Sequence, residues 1–213
     1  MTDLSRFDVT RYAAAAQSII DAGRFLYGQG WSPATSSNYS ARIDAEHLAI
    51  TVSGRHKGQL RQDDVMVVDL DGNPVQSHCR SSAETLLHTV VYRQLPTIGA
   101  VLHTHSVKAT VLSRLIPAGQ ALTLQGYELQ KAFPGYDSHD STLDIPVFDN
   151  TQDIPALAAE SAAWLAHNPG QPGYLIRGHG LYTWGDTMDD CLRHVEAFEF
   201  LLECELEMMR VLR

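Results

Sequence analysis

The sequence predicts an α/β domain in which helices pack on a mixed, partly antiparallel sheet. Three observations lead to this prediction. Segments with helical spacing alternate with short apolar runs of strand length. The chain shows no composition break, long linker or internal repeat, which indicates a single domain over residues 1–213. A hydrophobic fraction of 44% and a charged fraction of 19% are ordinary for a globular protein with one core.

The first third of the chain is predicted to form one helix followed by three strands. Apolar residues recur at helical spacing over residues 10–27, and Gly28 and Gly30 stop this helix. Strand-like runs follow at residues 38–40, 48–52 and 65–69. The last run reaches Asp71-Gly72, a dipeptide typical of hairpin turns, so we expect antiparallel pairing in this region.

The middle of the chain is predicted to contain two helices around an apolar strand. The first helix covers residues 81–94, with Ser81 as N-cap and Glu84 at the third helical position in a capping box. It stops before Pro96, because the residue preceding a proline avoids the helical conformation. The strand follows over residues 98–102, and the second helix runs through residues 107–115.

The last third is predicted to be a helix, two strands and a long helix. The first helix covers residues 153–166 and ends at an Asn-Pro-Gly sequence. Two short strands lie around Tyr174 and Tyr182. Thr187 caps the final helix, with Asp190 three residues later.

Two histidines follow the strand over residues 98–102. His103 and His105 are two residues apart, so their side chains project from the same face of an extended chain. His179, between two glycines and just after another apolar run, is the best candidate for a third imidazole, since glycines let the backbone approach a site closely. Three imidazoles and one open position form a catalytic zinc shell. The spacing alone also allows a hydrogen-bonded structural element, because ten histidines produce such pairs by chance.

Two polar segments are candidates for binding phosphate. Residues 51–58 form a strand that enters a glycine-bounded loop with Arg55 and Lys57, and hydroxyls, backbone N–H groups and cations suit a phosphate monoester. A solvated turn is the alternative. Ser81 and Ser82 stand at a predicted helix N-terminus, which also suits phosphate, although a simple cap explains them equally.

The charge and the cysteines exclude several classes of protein. A net charge of −9 argues against a nucleic-acid surface but permits a small phosphorylated ligand. Cys79, Cys191 and Cys204 fit neither a disulfide framework nor a metal knuckle. No apolar run approaches membrane-spanning length and no signal segment is recognisable, so we expect a cytoplasmic protein without nucleic-acid or membrane partners.

These motifs, in this order, resemble the class II aldolase family of zinc-dependent sugar-phosphate enzymes over nearly the whole chain. The resemblance implies α/β/α layers around a mixed, mostly antiparallel sheet, and a homotetramer with its sites near subunit interfaces. It implies one Zn²⁺ per subunit, held by His103, His105 and His179. It places the substrate phosphate at Asn38, Ser53, Gly54, Ser81 and Ser82. Ser37 departs from the glycine that aldolases usually carry before the asparagine.

Within the family, the chain is most similar to dehydratases that act on a ketose 1-phosphate. The similar segments are residues 53–58, 82–88, 127–131 and 177–185. In these dehydratases the acid that matches Glu128 is the proposed catalytic acid/base, and the position of Thr85 lies near the substrate. Glu84 matches the base of the aldolases and is the second candidate. Without the resemblance, Glu128 is a solvated acid in a helical stretch.

Two other functions remain open at this point. An aldolase or 4-epimerase acting on a pentulose or deoxyhexulose phosphate would use the same three histidines. A non-catalytic scaffold, like the head domain of adducin, would have the same fold. Three histidines and two acids disfavour the scaffold, because a buried polar cluster is costly unless it is satisfied.

Overall fold

The computed structural model describes residues 7–75 and 77–212. One eight-stranded sheet extends through these residues. The eight strands in these ranges are β1 (Asn38–Arg42), β2 (His47–Thr51), β3 (Val65–Asp69), β4 (Ala100–Thr104), β5 (Ala121–Gln125), β6 (Thr142–Phe148), β7 (Gly173–Ile176) and β8 (Gly180–Gly185). Their order across the sheet is β3-β2-β1-β4-β8-β7-β6-β5. Neighbouring strands pair antiparallel except β6 and β7, which pair parallel. The predicted mixed, mostly antiparallel sheet is confirmed.

Helices cover both faces of this sheet. Within the described ranges they are α1 (Val9–Gly28), α2 (Thr85–Gln94), α3 (Val107–Leu115), α4 (Ile154–His167) and α5 (Met188–Val211). Helices α2 and α4 pack together on one face, and α1, α3 and α5 pack on the other. The α/β/α layers are therefore confirmed. None of these helices is both long and apolar enough to cross a bilayer.

Side-chain caps begin four of the five helices. Asp8, Ser106, Asp153 and Thr187 each accept a hydrogen bond from a backbone N–H in the first turn of α1, α3, α4 and α5. Such caps satisfy donors that the helix itself leaves unpaired. The predicted cap of α5 is thus confirmed, since Thr187 accepts from the backbone N–H of Asp190.

The central strand β4 is buried along its whole length, and its side chains alternate between the two faces. Ala100 and Leu102 pack against α1 and the start of α5. Val101 packs with α2 and α4 on the opposite face. Because His103 is two residues beyond Val101, its imidazole lies on the α2 side of the sheet, at the end of the strand.

The predicted capping box at the start of α2 is wrong. The helix begins at Thr85, and Glu84 makes no capping hydrogen bond with its side chain. Instead, the hydroxyl of Ser82 accepts from the backbone N–H of Glu84 at 3.2 Å. The reason is that the Glu84 carboxylate accepts hydrogen bonds from the side chains of Asn38 and Tyr182, which lie elsewhere in the fold.

The turn at Asp71-Gly72 forms, with Gly72 at a φ of +83°, but no strand follows it. The only pairing beyond the turn, among the described residues, is an isolated bridge between Val68 and Pro74. Two backbone hydrogen bonds flank this bridge, from the Asp69 N–H to the Asn73 carbonyl at 3.0 Å and from the Val75 N–H to the Val67 carbonyl at 2.9 Å. The antiparallel pairing expected in this part of the chain comes from β1, β2 and β3 instead.

Candidate active site

Three histidines converge at the end of the central strand. His103 is fully buried in β4, His105 lies two residues beyond it, and His179 lies in the turn between β7 and β8. Their ring centroids are 4.5 to 4.8 Å apart. One nitrogen of each ring lies within 4.8 Å of the others. The structure thus brings together the three histidines that the sequence singled out.

Two glycines and α3 position His179. Gly178 has a φ of +65°, a left-handed conformation that favours glycine in this tight turn. A Cβ on Gly180 would lie 1.9 Å from the carbonyl oxygen of Thr104, so only glycine lets β8 approach β4 this closely. From α3, the Thr110 hydroxyl donates to the His179 carbonyl at 3.0 Å. The turn therefore fixes the direction in which His179 leaves the backbone.

The three imidazoles fit the donor set of a zinc ion. The Nδ1–H of His103 donates to the carbonyl of Leu181 at 2.9 Å, which leaves the lone pair on its Nε2. This Nε2 lies 3.2 Å from the Nε2 of His179. Two nitrogens bound to one tetrahedral zinc are roughly 3.3 Å apart. Burial lowers the pKa of His103 well below its usual range and that of His105 to about 4, so both rings are neutral at pH 7, as metal ligands must be.

Glu84 brings a carboxylate to the same point. Its two oxygens lie 3.3 Å from the Nε2 atoms of His103 and His179. Tyr182 donates to it at 2.7 Å and Asn38 at 3.0 Å. Burial alone would raise the pKa of Glu84, but the two imidazoles and the two hydrogen bonds outweigh it and lower the pKa to about 2. Glu84 is thus an ionised group within reach of anything that the histidines hold.

Strand pairing explains why these residues meet. Asn38 of β1 lies directly opposite His103 of β4, and His103 lies directly opposite Tyr182 of β8. The rings of His103 and Tyr182 stack with centroids 4.1 Å apart. Sequence reasoning missed Tyr182 as a site residue. No local pattern could have found it, because its place depends on the pairing of distant strands.

A cleft of about 150 Å³ opens beside the histidines. It is lined mainly by small polar side chains together with one lysine, Glu84 and His105. The lining residues are Thr35, Ser36, Ser37, Asn38, Thr51, Val52, Ser53, Gly54, Lys57, Ser82, Glu84 and His105. Of the residues predicted to hold phosphate, the cleft contains Asn38, Ser53, Gly54, Lys57 and Ser82.

Lys57 and Arg55, the two cationic residues of the loop in residues 51–58, lie in different environments. The side chain of Lys57 is buried, and its ammonium donates to the carbonyl of Arg55 at 2.7 Å. Burial lowers the pKa of Lys57 to about 8, although nearby Asp64 acts in the opposite direction. Arg55 is half exposed, pairs with Asp64 at 3.1 Å and lines an adjoining, wider cleft of about 530 Å³.

Three of the predicted substrate-binding and catalytic residues line neither cleft. Ser81 forms an isolated bridge with Val52, and the buried Thr85 hydroxyl donates to the carbonyl of Ser82. Glu128 begins a 3-10 helix (Glu128–Ala132), and its side chain is 70% exposed and pairs with Lys131. A single copy of the chain therefore does not bring Glu128 into the histidine cluster.

Comparison with known proteins agrees with this fold. The model of the class II aldolase and adducin N-terminal domain family matches residues 17–206. Among solved structures, YgbL from Klebsiella pneumoniae has a TM-score of 0.79 at 22% identity, covering 92% of this chain and 90% of its own. An L-fuculose 1-phosphate aldolase has a TM-score of 0.75 at 23% identity, covering 93% and 87%. At these identities the structural likeness shows the fold alone.

Sequence relatives match at much higher identity and over their full length. A methylthioribulose-1-phosphate dehydratase from Marinobacter nauticus is 78% identical, covering 97% of this chain and 100% of its own. One from Hahella chejuensis is 62% identical, covering 96% and 99%. The resemblance found in the sequence motifs is confirmed, and this chain belongs to the class II aldolase and adducin N-terminal domain family.

Proposed function

We propose that this chain is a methylthioribulose-1-phosphate dehydratase. The reaction removes water from 5-methylthioribulose 1-phosphate and leaves 2,3-diketo-5-methylthiopentyl 1-phosphate. The observation that carries the proposal is the convergence of three imidazoles and the Glu84 carboxylate beside a cleft of small polar groups. The full-length relatives of that name support the choice of substrate.

His103, His105 and His179 would hold one Zn²⁺ per subunit. The neutral rings of His103 and His105, the fixed tautomer of His103 and the close spacing of all three histidines support this assignment. When bound, the ion supplies a Lewis acid for the negative charge that develops on the C2 oxygen of the substrate. The same imidazoles also suit iron, cobalt and nickel, so metal analysis decides the identity of the ion.

The polar end of the cleft would hold the substrate phosphate. Ser53 and Ser82 offer hydroxyls, Gly54 offers a backbone N–H, and Lys57 offers a buried cation. Cations and backbone N–H groups together form sites for phosphate. Arg55, in the adjoining cleft, would add charge to the entrance, and Thr85 would support the loop of Ser82 from behind.

The chemistry needs one base and one acid. A base removes the hydrogen from C3, and the electron pair moves to the C2 oxygen. An acid then protonates the C4 hydroxyl, which leaves as water, and the resulting enol becomes the 2,3-diketone. Each positioned acid or base contributes roughly 10²- to 10⁴-fold in rate. Glu128 is the first choice for this proton transfer and Glu84 the second.

A homotetramer with its sites near subunit interfaces would explain how Glu128 can act as the acid/base although it does not reach the histidines of its own chain. In one copy of the chain, Glu128 is exposed and does not line the cleft that contains Glu84. Leu129, the next residue in the chain, is an exposed apolar side chain, and the preceding Tyr127 lines an apolar groove with Met208, Val211 and Leu212 at the end of α5. We propose that this surface meets a second subunit and carries Glu128 to that subunit's histidines.

The structure of the substrate indicates the pathway to which the proposed reaction belongs. A ketose that still carries the methylthio group of methionine belongs to methionine salvage. We propose that the protein performs this step in the cytoplasm.

The direct test is incubation of the zinc-loaded protein with 5-methylthioribulose 1-phosphate. The proposal expects the phosphorylated diketone, detected by mass as the substrate less one water. His105→Ala is the control and should lose both bound zinc and turnover. No turnover by the zinc-loaded protein would contradict the proposal.

An aldolase or 4-epimerase is the second candidate, favoured by the position of Glu84 beside the histidines. It would give an aldehyde and dihydroxyacetone phosphate, or an isomer of equal mass, in the same assay. A non-catalytic, adducin-like scaffold would be purified folded and free of metal. Metal analysis of freshly purified protein therefore separates the scaffold from both enzymes.

A further inference from the structure

The strand β1 and the helix α2 interlock through a row of polar side chains. Asn38 and Ser40 are two residues apart on one face of β1. Glu84, His88 and Tyr92 are four residues apart, so they share one face at the start and along the length of α2. Hydrogen bonds join the two rows from the core to the histidine cluster.

The direction of each hydrogen bond in this row follows from its neighbour. The Glu84 carboxylate accepts from the Nδ2 of Asn38 at 3.0 Å. The Oδ1 of Asn38 therefore faces Nε2 of His88, and this pair bonds only if Nε2 carries the proton. Nδ1 of a neutral His88 then accepts from the Ser40 hydroxyl at 2.7 Å. Ser40 accepts in turn from the Tyr92 hydroxyl at 3.0 Å.

His88 is the centre of this row, and water does not reach it. Its side chain is completely buried, and both ring nitrogens have partners within the protein. The neighbouring groups that titrate are Glu84, on its own helix, and Tyr182, whose ring centroid lies 5.6 Å away on β8. Burial holds the pKa of His88 at about 4, so the ring is neutral at pH 7.

We propose that His88 is a positioning residue of the active site. As a neutral ring with its proton on Nε2, it fixes the amide of Asn38, and through that amide it fixes the carboxylate of Glu84 beside the histidines. An apolar residue at this place would leave the buried carbonyl of Asn38 without its hydrogen-bond donor, so the amide would be held from the Glu84 side alone. The kinetic part of this inference rests on the proposed dehydratase function, and the spectroscopic part does not.

The spectroscopic test reads the tautomer directly. In the zinc-loaded protein at pH 7, with histidine labelled in its ring nitrogens, nuclear magnetic resonance should show a neutral His88 with the proton on Nε2. The signal is assigned by its absence in His88→Gln. A proton on Nδ1, or on both nitrogens, would overturn the inference whether or not the protein turns over substrate.

The kinetic test compares three variants. His88→Leu removes the donor to Asn38, and we expect kcat to fall about 10- to 100-fold, as for other groups that orient catalytic residues. Bound zinc should be unchanged and KM should change less than kcat. His88→Gln keeps an N–H near the position of Nε2, so it should restore most of kcat.

His194→Leu is the matched control. His194 is another buried histidine, on α5, and its Nδ1 bonds only to the carbonyl of Trp184. We expect this variant to lose stability like His88→Leu while keeping the wild-type kcat. If His88→Leu also keeps that kcat, or if His88→Gln is as slow as His88→Leu, the inference is wrong. If the wild type itself is inactive, the proposed function fails and the tautomer measurement still decides the role of His88.

Discussion

Glu84 stands just before the first turn of α2, yet its carboxylate serves the end of β4. Its local sequence predicts a capping box, whereas the structure binds it to Asn38 and Tyr182. The two uses exclude each other, since a carboxylate that reaches back to the helix backbone does not reach the histidines. The local motif therefore gave the wrong role for the Glu84 side chain.

The two candidate acids can be separated by substitution. We expect Glu128→Gln to lower kcat by about 10²- to 10⁴-fold, with bound zinc unchanged because Glu128 is the proposed acid/base and not one of the three zinc ligands. Glu84→Gln should lower bound zinc as well as kcat, since its oxygens lie 3.3 Å from two of the rings. The measurements are steady-state kinetics and metal content. Full activity in Glu128→Gln would move the acid/base role to Glu84.

Ser37 shows what a single sequence does reveal about a residue. The sequence departs here from the glycine usual in aldolases, and the structure places Ser37 at a φ of +71°. Glycine adopts this left-handed conformation without the steric cost that a Cβ brings. The serine therefore stands at a position whose backbone favours glycine, and the structure adds that Ser37 lines the cleft.

At the scale of elements, the boundaries that depend on local signals were predictable. The start of α4, the cap of α5 and the glycine end of α1 follow the sequence closely. β5 and β6 were not predicted. Side chains along β5 alternate between buried and exposed. Among the described strands, β5 pairs only with β6, and the segment that connects the two strands contains a 3-10 helix. Their order in the sheet depends on contacts that no short window contains.

Helix α5 contains a buried acid that predicts a pH-dependent stability. Glu199 is 1% exposed, and neither of its oxygens has a well-aligned partner among the described residues. Burial raises the pKa of Glu199 from 4.5 to about 7, and nearby Ser106 and Lys108 offset this only in part. Between these two values the folded protein holds a proton that the unfolded chain has lost. The free energy of unfolding therefore falls as pH rises from 4.5 through 7.

Glu199→Gln removes this dependence, because the amide stays neutral. At pH 8 we expect the variant to be more stable than the wild type by up to about 3 kcal/mol, and at pH 5 by much less. The measurement is urea unfolding of both proteins at both pH values and one protein concentration. Glu196→Gln, at an exposed position of the same helix, is the control. Equal pH dependence in wild type and Glu199→Gln would show that Glu199 is ionised in the folded state.

At the scale of the whole molecule, the sequence predicted the layers better than the site. Alternating helix and strand patterns predict a layered α/β domain, because each element must bury its apolar face, and the resemblance to the class II aldolases implies the α/β/α arrangement. The histidines were found because two of them stand two residues apart at the end of one strand and the third lies between glycines. Asn38 and Tyr182 lie beside the histidines because of the register between paired strands, which no local pattern reveals. Glu128 is exposed and does not reach the histidines in one copy of the chain.

Subunit mixing tests whether a second copy completes the site. His105→Ala should lose most bound metal and Glu128→Gln should keep it, and each variant alone should be inactive. In a closed ring of four subunits, each site would take its histidines from one chain and Glu128 from the next. A mixed tetramer then contains sites in which both groups are wild type, whereas sites built within one chain always lack one of them.

Equal co-expression of the two variants should therefore recover activity. Random assembly gives wild-type histidines beside a wild-type Glu128 in about a quarter of the sites, if each site takes one group from each of two neighbours. The measurement is kcat per subunit of tetramers purified through different tags on the two variants. Mixing His105→Ala with Glu84→Gln is the control, since both groups lie in the histidine cluster of one chain and no recovery is expected. Inactive tetramers containing both His105→Ala and Glu128→Gln would place Glu128 outside the neighbouring site.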